Sequence, residues 1–202
     1  MIERARQLLQ TEIQALQNLP LNEDLETCVK LFKNCKGKIV FLGMGKAGII
    51  ARKIAATLSS TGTPSLFAHP GEMVHGDLGV ITNDDVIVAL TNSGKTKEVL
   101  LALKLCKNTF TCPIVGITCS KTAKISLYCD LILEIGKVKE ICPFGLAPTS
   151  STTTMVVLGD ILAVLTMEEK GFTIEDYGKR HHSGYLGKVV REINEANIEE
   201  LG

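Results

Sequence analysis

Five short apolar runs that do not alternate with polar residues constrain this chain most: Ile39-Val40-Phe41-Leu42, Ser65-Leu66-Phe67-Ala68, Val86-Ile87-Val88-Ala89-Leu90, Ile114-Val115-Gly116-Ile117 and Leu131-Ile132-Leu133-Glu134-Ile135. A strand with one wet face alternates, so an unbroken run implies burial on both faces and therefore a parallel sheet. Helical stretches are expected between the runs at about 46–59, 72–80 (short), 96–107 and 122–128, then a long helix at about 150–170 that Gly171 ends. The class is α/β: a three-layer α/β/α sandwich around a five-stranded parallel sheet. Two further helices precede the first strand, marked by Ile2, Ala5, Leu8, Leu9, Ile13 and Leu16 and by Leu25, Val29, Phe32 and Cys35. One domain covers 1–202, with N-terminal helices at about 1–36, the core at about 37–170 and a helical tail at about 171–202.

Composition narrows the partners. With 202 residues, 45% of them hydrophobic, a single core needs no metal or disulfide to fold. Twenty-two basic residues balance twenty-two acidic ones without a long run of one sign, which argues against nucleic acid and for a small molecule. The seven cysteines, at 28, 35, 106, 112, 119, 129 and 142, form no C-x-x-C pair and read as reduced thiols of a cytoplasmic protein. The charged start Met1-Ile2-Glu3-Arg4 is not a signal peptide. The apolar run Met155–Leu165 is broken by Gly159-Asp160 and falls short of the ~20 residues needed to span a bilayer, so no membrane is expected.

In an open parallel sheet the ligand crevice lies beyond the carboxyl ends of the strands. Four segments are expected there: Gly43–Gly48, His69–His75, Thr91–Thr96 and Glu140–Thr154. Gly43-Met44-Gly45-Lys46-Ala47-Gly48 has the spacing of a dinucleotide fingerprint, but the acid expected about 20 residues later is replaced by Phe67-Ala68-His69. A tight strand-to-helix turn accounts for its glycines, while Lys46 in the first helical turn opposes the helix dipole and suits an anionic ligand. Thr91-Asn92-Ser93-Gly94-Lys95-Thr96 imitates a phosphate-binding loop, yet the loop glycine it would need is Ala89, inside the strand. It reads either as plain N-capping or as a short anion site of Ser93 and Thr96, with Glu98 one turn on.

The segment Cys142–Thr154 runs through two prolines into Ser150-Ser151-Thr152-Thr153-Thr154, the mouth of the long helix. Unpaired first-turn N–H groups and the dipole make such a mouth an anion site, and Glu140 stands beside it as a base. His69 and His75 lie on a loop suited to ligand contact, without the spacing of a structural zinc site. His181 and His182 read as solvated imidazoles.

Together these segments resemble the sugar isomerase (SIS) family, and within it the bacterial arabinose-5-phosphate isomerases of the lipopolysaccharide and capsule pathways. The resemblance runs through Gly43–Gly48, Ser60–Ser65, His69–Glu72, His75–Gly79, Asn92–Gly94, Gly145–Thr153 and Gly171–Thr173. It implies a flavodoxin-like SIS fold and interconversion of D-ribulose 5-phosphate and D-arabinose 5-phosphate on the way to Kdo, with no cofactor. By the same resemblance Lys46, Glu98, Glu140 and His181 form the catalytic set, Gly62, Thr63 and His75 touch substrate, and His69 takes an inhibitory divalent metal such as zinc. It also implies a cytoplasmic homotetramer in which His181 reaches a neighbour's site. Lys95, and His182-Ser183 after the catalytic histidine, depart from the family pattern. The usual CBS pair is not in this sequence, so feedback by CMP-Kdo is expected at the crevice itself.

The expected mechanism passes through an enediolate: Glu140 transfers the proton, His181 assists ring opening or oxygen protonation, Lys46 stabilises charge, and Glu98 orients a hydroxyl or Lys46. The substrate-binding set is completed by Gly45, Thr91, Asn92, Ser93 and Thr96, with Ser150, Ser151 and Thr152 holding the phosphate at the long helix's mouth. An isomerase of another phosphosugar, or a non-catalytic sugar-phosphate sensor, are the alternatives.

Overall fold

The computed structural model describes residues 1–181 and Gly187. Helices α1 (Ile2–Gln17) and α2 (Glu23–Asn34) precede β1 (Ile39–Gly43), α3 (Gly45–Ser60), β2 (Ser65–Ala68), the short α4 (Pro70–Met73) and β3 (Val86–Leu90). Then follow α5 (Lys97–Thr109), β4 (Ile114–Thr118), β5 (Leu131–Glu134), α6 (Ser150–Glu169) and α7 (Ile174–Gly178). All neighbouring strands are parallel, in the order β2-β1-β3-β4-β5.

The unalternated runs are explained by a core on each side of the sheet. Along β1, Ile39 and Phe41 join a cluster with Phe32, Ile54, Leu58, Leu158 and Leu162 from α2, α3 and α6. Val40 and Leu42 face the other way, into Leu103, Cys106 and Ile125. Phe32 meets Phe41 edge to face, with centroids 6.5 Å apart. The three-layer α/β/α expectation holds, and all seven cysteines are free.

Two expected helices are shorter than the pattern suggested. The stretch 72–80 splits into α4 and a 3-10 turn at Asp77–Val80, because Gly76 between them takes φ +123°. The stretch 122–128 is one 3-10 turn, Lys124–Leu127, whose Ile125 N–H donates to Gly94 O at 3.0 Å rather than continuing a helix. The apolar run 155–165 lies within α6, a 20-residue helix that is long and apolar enough to cross a membrane by length and composition. Half of its most apolar window is buried, against α1, α2 and α3, so it serves as the core helix of the domain. In the tail, a capping box of Thr173 and Asp176 opens α7. The departure at His182-Ser183, and the helical segments expected beyond His181, lie outside the described residues.

The fingerprint glycines are explained by the β1–α3 turn. Gly45 takes φ +56°, and a Cβ on Gly48 would lie 2.5 Å from Gly43 O, so α3 seats directly on the strand end. Gly48→Ala should therefore lower the free energy of unfolding by about 1–3 kcal/mol, read as an earlier urea midpoint, since the clash is with backbone that cannot rotate aside. An unchanged midpoint would show that the close approach is not needed.

Candidate active site

The strand order reverses direction between β1 and β3, which are hydrogen-bonded neighbours in the middle of the sheet. Their carboxyl ends pair Gly43 with Leu90, so the turns that follow diverge and leave a crevice. Lys46 from α3, Thr91, Asn92, Ser93 and Thr96 from the turn after β3, and Ser151 and Thr152 from α6 line a cavity of about 230 Å³ there. Met44, Pro148 and Met155 supply apolar wall.

The turn after β3 is pinned from the β4 side. Asn92 O accepts from Thr118 Oγ1 and Cys119 N, both at 3.1 Å. Thr91 and Thr96 share a hydroxyl–hydroxyl hydrogen bond of 2.8 Å, so Thr96, the N-cap residue of α5, does not cap that helix with its side chain. The first-turn N–H groups of α5 thus stand beside the cavity without a side-chain cap, an arrangement suited to a phosphate.

The α6 mouth differs from expectation. Glu140 already occupies it: its Oε2 accepts from Thr149 N at 2.7 Å, Thr149 Oγ1 at 2.8 Å and Ser151 N at 3.3 Å. Burial alone would raise the carboxyl's pKa. Donors from Ser151 and Thr149 outweigh it, and the group lies below the usual carboxylate range, ionised at neutral pH. The Ser151 hydroxyl is close enough to contribute, though among the described residues it has no partner of hydrogen-bonding geometry. With a carboxylate in the mouth, a phosphate there would face like charge. Only Ser151 and Thr152 of the predicted α6 set lie on the cavity wall, and the α5 side keeps the uncapped helix mouth. Ser150 is fully buried and its hydroxyl turns away, to Glu12 Oε1 at 3.0 Å.

Several predicted residues are not gathered at this cavity. Glu98 is exposed on α5, whose inward face is carried by Val99, Ala102, Leu103 and Cys106. His75 is exposed, and His69 lies on a separate cleft of about 560 Å³ at the sheet edge with Arg52 and Asp77. His69 Nδ1 accepts from Gly71 N at 3.2 Å, capping α4. Among the described residues no three His, Cys, Asp or Glu side chains cluster to hold a metal, so the residues present do not fit a metal centre.

Gly62, Thr63 and His181 belong to the opposite end of the sheet. Thr63 precedes β2 and its Oγ1 accepts from Lys170 Nζ at 3.0 Å, at the far end of α6, about 30 Å from its mouth at 1.5 Å per residue. Gly62 packs on the Phe172 ring, and the Arg180 guanidinium lies over the same ring. His181 follows directly, stacked on Tyr177 at 3.9 Å with Nδ1 3.0 Å from Tyr177 O. Within one chain none of the three reaches the cavity.

Sequence reasoning missed Glu12, which is on α1 and carried no motif signal. It also missed the setting of Cys142. The Ala147 and Leu146 N–H groups, each 3.1 Å from its sulfur, hold that thiol below the usual range.

Comparison with known proteins decides the family. Residues 31–165 match the SIS domain. The chain belongs to the SIS domain family. It is 47% identical over 169 residues to arabinose 5-phosphate isomerase KdsD of Escherichia coli K12, covering 83% of this chain and 51% of that protein. It thus spans about half the length of the curated relatives it matches. A phosphosugar isomerase structure from Bacteroides fragilis, described as putative and involved in capsule formation, superimposes with TM-score 0.89 at 45% identity, covering 92% of this chain and 99% of that one. The E. coli CFT073 protein c3406, solved in complex with A5P, superimposes with TM-score 0.85 at 40% identity, covering 89% and 96%. In this SIS domain the crevice, the α5 mouth and Glu140 are thus set in a fold shared with phosphosugar isomerases.

Because the folded pKa of Glu140 is depressed, the stability it contributes is present above its unfolded value, about 4.3, and is lost as pH falls through the folded value. Wild type should therefore exceed Glu140→Gln in denaturation midpoint at pH 7, with the gap closing below about pH 4. A gap independent of pH would show that the carboxylate charge is not what holds the α6 mouth.

Proposed function

We propose that this chain interconverts D-ribulose 5-phosphate and D-arabinose 5-phosphate through a 1,2-enediolate. The observation that carries the reading is an ionised carboxylate, Glu140, hydrogen-bonded to the wall of a cavity that also presents a lysine and an uncapped helix mouth. The identity to KdsD proteins and the A5P complex of the c3406 neighbour support the choice of sugar.

In this reading the phosphate sits at the α5 mouth against Ser93 and Thr96, with Ser151 and Thr152 closing the opposite wall and Gly45, Thr91 and Asn92 bounding the turn. The sugar chain then extends toward Glu140. Glu140 takes the proton from C1 of the ketose and returns it to C2, while His181 of a neighbouring copy takes the hydroxyl proton from O1 and delivers one to O2, giving the aldose; the same groups act in reverse for the other direction. Lys46 stabilises the negative charge that builds on the enediolate oxygens, where the low-dielectric wall strengthens its effect. Proton transfer between adjacent carbons moves no electrons to an acceptor, so the reaction requires no redox cofactor.

His181 takes part in a homotetramer, reaching the cavity of a neighbouring copy, since about 30 Å, the length of α6, separates it from its own. Thr63, buried and bonded to Lys170, and Gly62, under the Phe172 ring, keep their places in the fold of their own chain. Glu98 and His75, exposed in the single chain, find their contacts in the same assembly. A cytoplasmic setting and competition by CMP-Kdo in the same crevice complete the proposal.

A positioned base contributes about 10²–10⁴ in rate. Glu140→Gln should cut turnover of ribulose 5-phosphate by that order with KM nearly unchanged in a coupled assay; near-normal turnover would reject Glu140. Mixing Glu140→Gln with His181→Ala protomers should recover activity that neither has alone, and no recovery would reject the shared site. The same assay with fructose 6-phosphate and sedoheptulose 7-phosphate separates the other phosphosugar isomerases. Binding of the phosphosugars without conversion would favour a sensor; the likeness to the Vibrio vulnificus NanR protein, at 20% identity and TM-score 0.73, concerns the fold alone.

A further inference from the structure

One half-buried acid stands at the α6 mouth with no part in the reaction as described. Glu12 projects from α1, and its Oε1 accepts from Ser150 Oγ at 3.0 Å. Its Oε2 is shut off from solvent and has no hydrogen-bond partner among the described residues. A carboxylate oxygen withdrawn from water without a partner is destabilising, and an apolar side chain would pack α1 on α6 without that cost. The neighbours of Glu12 in the seam, Ala15 and Leu19, are apolar and buried. The choice of an acid therefore needs a reason beyond adhesion.

The partner residue supplies it. Ser150 is fully buried, and its carbonyl accepts from Thr154 Oγ1 at 2.7 Å, so both its ends are fixed. It stands between Thr149 and Ser151, whose two N–H groups, with the Thr149 hydroxyl, clasp Glu140. A tether on Ser150 thus sets the rotation of the first α6 turn, and with it the direction of the donors on either side.

We propose that Glu12 is a positioning residue for Glu140, acting through Ser150 to hold the α6 first turn at the rotation that keeps the Glu140 carboxylate clasped against the cavity wall at Ser151. This rests on the reading of Glu140 as the proton-transfer group. It also reassigns Ser150, from a phosphate ligand to the link between α1 and the clasp. Around the mouth stand Glu12 from α1, Glu140 itself and Lys46, which lines the cavity from α3.

The test compares Glu12→Ala, Glu12→Gln and Ser150→Ala with wild type by steady-state kinetics and by ¹³C titration of the Glu140 carboxyl. Misplacing a catalytic group by about 1 Å costs up to ~10²-fold. Glu12→Ala and Ser150→Ala should each lower kcat about 10- to 100-fold while KM stays within about twofold. In both variants the Glu140 midpoint should rise toward the ordinary carboxylate value as its donors swing away. Glu12→Gln keeps the acceptor for Ser150 and should keep both kcat and midpoint.

Wild-type kcat and midpoint in folded Glu12→Ala or Ser150→Ala would overturn the proposal. So would a KM effect alone in Ser150→Ala, which would return Ser150 to the substrate. A Glu12→Gln as impaired as Glu12→Ala would overturn the hydrogen-bond route. Should Glu12→Ala not fold, Ser150→Ala removes the same bond from the other side. If wild type isomerises no phosphosugar, the functional reading fails, while the Glu140 titration still decides whether Glu12 sets the clasp.

Discussion

Burial of a parallel sheet on both faces is the constraint on which everything else here depends. It forces each connection to cross over a face as a helix or long loop, and it brings every strand's carboxyl end to one edge. The order β2-β1-β3-β4-β5 then makes the chain turn opposite ways after β1 and β3, opening the one place where two helix mouths, those of α3 and α5, flank a gap. The α6 mouth arrives at the same edge because α6 must run back along the sheet to bury Met155, Leu158 and Leu162. The cavity follows from packing rather than from any residue that lines it.

Electrostatics within that cavity are divided between two helix ends. At α6 the dipole and the Thr149 and Ser151 donors are already satisfied by Glu140, which keeps this carboxylate ionised and in place. At α5 the Thr96 hydroxyl is diverted to Thr91, leaving the mouth open for a dianion. A low-lying pKa weakens a base, so the proposed proton transfer from carbon asks substrate binding either to loosen the Glu140 clasp or to acidify the carbon through a cation such as Lys46 on the cavity wall.

Much of the site was legible because it is written in contiguous segments. The glycines at 45 and 48, the Thr91–Thr96 turn and the hydroxyl run opening α6 each announce a strand-to-helix junction, and junctions at the carboxyl edge converge by topology. The short elements were less legible: the residues at 72–80 and 122–128 carry helical spacing, yet Gly76 and the bond from Ile125 N–H to Gly94 O override it. Glu12 was illegible, since an acid on an amphipathic helix looks solvated until the helix opposite is known.

The sequence by itself determined the α/β class, the five strands, the junctions that bear function and, through its resemblance, the SIS family. These depend on local periodicity and on motifs read within a few residues. Only the tertiary structure decided that Glu140 fills the α6 mouth, that Ser150 turns to Glu12, and that Thr63 and His181 lie a helix length from the cavity. Those facts depend on how the loop before α6 folds back on its mouth, on which partner a side chain finds more than a hundred residues away, and on which end of α6 it falls, and no one-dimensional spacing encodes them.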